Sequence, residues 1–191
     1  MTNINATLPA WPNVEAAMAD VREHGIRTGN EKMIVLEPNG ATRYSILGDS
    51  QQVQLSQDMD LRGTLLVHDH PVPVELSLAD LGVVTAWEAS GIIATMPDGS
   101  WSYAKGLNFA PPSRDEFLMF NLFGYAENPY FKAALIGSRE HDGVGDHELG
   151  ARLGNRALLD YLASHGYVSD YRLNLQPQAV QTFSGLRGLT L

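Results

Sequence analysis

At 191 residues the chain is long enough for one packed α/β domain with a sizeable extension, and its 44% hydrophobic and 18% charged content excludes bulk disorder. A net charge of −9, with no run of Lys and Arg to interrupt it, argues against a phosphate-neutralising surface, so no nucleic-acid partner is expected. The lack of cysteine excludes disulfides, thiolate zinc sites and a cysteine nucleophile, and leaves His, Asp, Glu and water as the available metal ligands.

The N-terminus, Met1 to Asn5, has neither the basic nor the apolar region of a secretory signal. The apolar runs are too short to span a bilayer. A cytoplasmic site of synthesis with no membrane association is therefore expected, and delivery to another cell by a signal-independent route stays open.

Pro12 and Asn13 open a first helix, with Asn13 as N-cap, Glu15 in the first turn and Val14, Ala17, Met18 and Val21 at helical spacing. His24-Gly25 reads as its stop. Residues 32–36 and 42–47 are two strands around Pro38-Asn39-Gly40, a β-hairpin. Residues 51–60 are polar and fit either a helix or an extended crossover. Residues 63–67 form a continuous apolar run, the pattern of a buried central strand, which ends at His68-Asp69-His70-Pro71. Residues 78–90 read as a helix stopped by Gly91. Residues 91–96 and 100–103 make a second hairpin around Pro97-Asp98-Gly99.

Ala110-Pro111-Pro112-Ser113 reads as a boundary, dividing a mixed α/β core over 1–109 from a helical extension over 110–191. In the extension, Ser113 and Glu116 form a capping box ahead of an apolar face of Phe117, Phe120 and Phe123. A second amphipathic helix covers 149–162, and the chain from Leu175 is expected to be irregular. Trp87 and Trp101 are expected in the core, and Glu37 at the surface.

The chemistry concentrates at the end of the central strand. Side chains two apart on a strand share a face, so His68 and His70 can hold one divalent ion together. Asp69 between them should point the other way, to solvent or a backbone amide. Asp80, in the first turn of the next helix, is within reach as a third ligand, and Pro71 turns the chain back toward it. Two imidazoles and one carboxylate leave a fourth tetrahedral position for water, as in catalytic zinc sites. A His-x-His at a strand end is by itself commonly a pair of surface histidines, and Ser77-x-x-Asp80 is also what an ordinary capping box looks like. Glu140 to Glu148 holds further ligand-type residues but no calcium-loop spacing, and reads as a polar loop.

His68-x-His70-Pro71 followed by Ser77-x-x-Asp80 resembles the motif of the JAB/MPN (JAMM) metalloproteases. The layout over residues 25–105 is similar to RadC-type proteins, and closer to the domains of phage head-morphogenesis and toxin-like proteins. The resemblance implies an α+β fold, a mixed sheet with flanking helices, and Zn2+ held by His68, His70 and Asp80. It further implies Glu31 as general base on the attacking water and Ser77 as donor to the oxyanion. The substrate would be a protein or peptide, cleaved at a peptide or isopeptide amide, with the extension recognising substrate or partner. The alternative is a non-catalytic JAB-like structural or interaction module, phage- or toxin-associated. One departure is visible. His70 and Asp80 are separated by one residue fewer than is usual in the family, a slip that turns a side chain by about 100° at a helix start unless the loop over 72–75 absorbs it.

Overall fold

The computed structural model describes residues 6–105 and 166–176, together with residues 155, 159, 160, 162 and 163. The elements in chain order are α1 (Val14–Thr28), β1 (Lys32–Leu36), β2 (Thr42–Leu47), β3 (Leu65–Asp69), α2 (Leu78–Ala86), β4 (Gly91–Thr95), β5 (Trp101–Ala104) and β6 (Tyr171–Asn174). The six strands form one mixed sheet in the order β2-β1-β3-β4-β5-β6, so the fold is α+β, as expected. All pairs are antiparallel except β3 with β4, which α2 connects as a crossover. No helix among the described residues is long and apolar enough to cross a membrane.

Period-two alternation divides the core between the two faces of the sheet. On one face, Val14, Ala17, Met18 and Val21 of α1 pack on Ile34, Leu65, Val67, Ile93, Trp101 and Tyr103. On the other, Leu81 and Val84 of α2 pack on Met33, Val35, Leu66, Ile92 and Ala94, joined by Leu159 and Leu162. The central strands β3 and β4 are buried along their whole length, which explains the apolar runs over residues 65–67 and 92–94 within them. Trp101 is buried, and Trp87 is packed partly buried against the core. Glu37 pairs with Arg43 through both carboxylate oxygens at the partly exposed hairpin.

Several sequence expectations are corrected here. Helix α1 runs past Gly25 to Thr28 and ends at Gly29, whose left-handed backbone (φ 69°) closes the last turn with an N–H to the Gly25 carbonyl. Asn13 stands at the N-cap but does not cap with its side chain; Nδ2 donates to the Gly40 carbonyl at 2.9 Å and ties the helix start to the first hairpin. Helix α2 ends at Ala86 rather than near Ser90. The chain turns through a left-handed Glu88 (φ 52°), and residues 88–90 bond to Gly63 and Thr64 at the start of β3. Residues 51–60 are neither helix nor strand. Tyr171–Asn174, within the span read as a helical extension, is the edge strand β6 paired to β5. At four residues, with Leu173 alone fully buried, it is too short to show a period. The helical residues 155, 159, 160, 162 and 163 match the helix expected over 149–162. The Ser113 capping box, the Phe117, Phe120 and Phe123 face and the Glu140 to Glu148 loop lie outside the described residues.

Candidate metal centre

The crossover brings the C-terminal end of β3 and the N-terminal end of α2 to the same edge of the sheet. His68 lies on β3 on the α2 face, next to Leu66 in the alternation. His70 lies just beyond the strand, but its N–H donates to the Thr95 carbonyl at 2.9 Å. That bond extends the β3–β4 pairing by one residue and keeps both imidazoles on one side. The rings meet edge to face, 4.7 Å between centroids.

The third member comes from the start of α2. Ser77 is the N-cap and Asp80 the third residue of the helix, and they form a reciprocal capping box. Asp80 Oδ2 accepts from the Ser77 N–H at 2.6 Å and from the Ser77 hydroxyl at 2.7 Å. The carboxylate is thereby held toward the histidines, with Oδ1 3.5 Å from His68 Nε2 and Oδ2 3.7 Å from His70 Nε2. The loop between His70 and Ser77 is short and firmly held. A tight turn joins the Val74 N–H to the Val72 carbonyl at 2.8 Å, and the Leu76 N–H reaches Ser102 Oγ on β5 at 3.0 Å. Asp80 arrives at the histidines despite the spacing.

The donor set fits a divalent cation. Two nitrogens and a carboxylate oxygen at about 2.0–2.1 Å from one ion would stand roughly 3.3–3.4 Å apart at tetrahedral angles. The two Nε2 atoms are 2.9 Å apart, Asp80 approaches His68 with Oδ1 at 3.5 Å and His70 with Oδ2 at 3.7 Å, and one ligand atom from each residue lies within 4.8 Å of the others. His70 Nδ1 lies 2.7 Å from the Val74 carbonyl, which can only accept, so that nitrogen carries a proton and Nε2 is the atom turned to the cluster. Burial, assisted by His70 and opposed by Asp80, pushes His68 down to about 4, so this ring is neutral at neutral pH. For Asp80 burial works against ionisation, yet the imidazoles and the two hydrogen bonds from Ser77 hold the carboxyl below its usual range. The cluster of His68, His70 and Asp80 can therefore hold a metal ion.

Glu31 precedes β1, which pairs with β3 so that Met33 faces His68. Two residues before Met33, Glu31 shares by alternation the face of the cluster, and its carboxyl is near enough to feel His70 and Asp80. It is partly buried, and burial lifts its carboxyl to about 7; His70 opposes the rise, while Asp80, Asp69 and Asp49 add to it. Its backbone is held on the β2 side, the N–H donating to the Asp49 carbonyl at 2.7 Å and the carbonyl accepting from the Gly48 N–H at 2.8 Å.

Ser77 stands at the site, but in this arrangement its hydroxyl proton is directed to Asp80 Oδ2 rather than into the cleft. Asp69 points to the opposite face, as alternation requires, but it is buried and does not face solvent. Its Oδ1 accepts from the Lys32 N–H at 2.8 Å. The Val74 carbonyl behind His70 and the grip of Gly48 and Asp49 on Glu31 are backbone contributions that no residue type in the sequence announces.

No family model, curated protein or solved structure matches the chain. The resemblance to the JAB/MPN motif thus rests on Glu31, His68, His70, Pro71, Ser77 and Asp80 themselves.

Proposed function

We propose that the chain is a zinc-dependent hydrolase of a peptide or isopeptide amide bond. One observation carries this reading: two imidazoles and a carboxylate converge on one point, with a second carboxyl, Glu31, on the same face near them. Two nitrogens and one oxygen suit zinc among the common biological metals, and three protein ligands leave one position open. When bound, zinc would supply Lewis acidity, polarising an amide carbonyl and acidifying water.

The chain's own groups then have distinct work. His68, His70 and Asp80 hold the ion, with Val74 fixing the His70 tautomer and Ser77 aiming Asp80. Glu31, at its carboxylate oxygens, accepts the proton of the attacking water and returns it to the leaving amine. Ser77 orients Asp80, and donation to the developing oxyanion requires its hydroxyl to turn away from that carboxylate. Substrate would be protein or peptide.

A Glu31→Gln variant tests the reading, assayed with wild type on a panel of peptide and isopeptide substrates. It should keep zinc at the wild-type stoichiometry and lose hydrolysis by about 100-fold or more. A variant with full zinc and full activity would remove Glu31 from the mechanism. A second reading, a non-catalytic module with an architectural metal, draws on the burial of the histidines: His68 is 1% and His70 8% exposed. Zinc binding with no cleavage of any panel substrate by wild type would favour it.

A further inference from the structure

The buried carboxylate between the two histidines has no part in the mechanism above. Asp69 is 2% exposed and lies on the α1 face, away from the cluster. Its Oδ1 takes the Lys32 N–H at 2.8 Å, at the point where the regular β1–β3 ladder has ended at Met33 and His68. The donor belongs to the peptide plane that joins Glu31 to Lys32. That plane is gripped at both ends, its carbonyl by the Gly48 N–H on the β2 side and its N–H by Asp69 on the β3 side. Asp69 Oδ2 has no hydrogen-bond partner among the described residues and is pressed against Gly25 of α1. A Cβ at residue 25 would overlap that oxygen and lie 2.8 Å from Asp69 Cγ. Glycine inside a helix is unfavourable, and here it makes room for the carboxylate.

We propose that Asp69 is a positioning residue that sets the direction of Glu31 toward the His68, His70 and Asp80 cluster by anchoring the Glu31–Lys32 peptide plane, with Gly25 holding Asp69 in place. The inference rests on the hydrolase reading for its purpose but not for its geometry. The strand that carries the histidine ligands also carries, on its other face, the group that orients the base, so one strand end aligns both halves of the site.

The test uses the full chain carrying 13C-labelled glutamate, as wild type, Asp69→Ala, Asp69→Asn and Gly25→Ala, each with one equivalent of Co2+ or Zn2+. In wild type, Co2+ broadens the Glu31 carboxyl signal, assigned by its loss in Glu31→Gln. Asp69→Ala should keep the cobalt absorption spectrum and stoichiometry, weaken the Glu31 broadening, and speed Lys32 amide exchange by about tenfold or more with Val67 unchanged. Asp69→Asn retains an acceptor and should restore both signals. Gly25→Ala displaces Asp69 without removing it and should behave as Asp69→Ala, so the claim stays testable if the alanine variant does not fold. Unchanged Glu31 broadening in folded Asp69→Ala, or in Gly25→Ala, overturns the proposal. If wild type binds no cobalt, it is the hydrolase reading that falls. The Lys32 amide and the Glu31 carboxyl shift of the metal-free chain then decide the positioning claim: both must move in Asp69→Ala and Gly25→Ala, both must hold in Asp69→Asn, and any other pattern overturns it.

Discussion

The two helices begin alike in sequence and differ in what their first residues do. Helix α1 starts behind Asn13 and α2 behind Ser77, both good N-cap residues. Asn13 leaves its helix uncapped by a side chain and binds the Gly40 carbonyl, a tie between helix and hairpin. Ser77 and Asp80 complete a reciprocal box, and the box carboxylate also faces two imidazoles. A cap motif thus has several physical uses. At α2 one carboxylate accepts the N-cap N–H and faces the histidines, because β3 ends beside the start of the helix.

Four substitutions sharpen that contrast, beginning with the largest effect. Asp80→Ala should abolish metal binding, read by elemental analysis, and also cost about 0.5–2 kcal/mol as a lost cap. Leu81→Ala, one residue along the same helix and fully buried, should cost about 2–5 kcal/mol in denaturant unfolding while the metal stoichiometry is kept. Ser77→Ala should weaken metal affinity by about 10- to 100-fold in competition with a chelator, since it removes the hydroxyl that aims Asp80. Asn13→Ala should cost about 1 kcal/mol and leave metal affinity unaltered. If Asn13→Ala reduced metal affinity as much as Ser77→Ala, the division of labour between the two helix starts would be wrong.

Much of the fold was legible because its elements are periodic or sharply punctuated. Both hairpins, the buried central strand and the starts of α1 and α2 stand where turn residues, caps and alternation put them, while the ends of both helices do not. What escaped depends on contacts between distant segments. Gly25 looks like a stop until Asp69 is seen against it, and only then does a glycine inside α1 make sense. Asp69 was assigned the correct face, but alternation does not say that α1 covers that face at this point. Strand β6 is too short to declare itself and owes its place to β5. At the site, the histidines share a face as their parity suggested and Asp80 meets them, while the path of the loop between them, through the turn at Val72 to Val74, is a backbone event. The commitment of the Ser77 proton to Asp80 is likewise a matter of geometry, invisible in the residue type.

The account stands on the cluster holding a metal, and the direct test is elemental analysis of untagged protein after zinc loading and desalting, with His68→Ala/His70→Ala as the comparison. The expected result is about one zinc per chain in wild type and none in the folded double variant. Folded wild type that retains no zinc, or a double variant that retains as much as wild type, would contradict it.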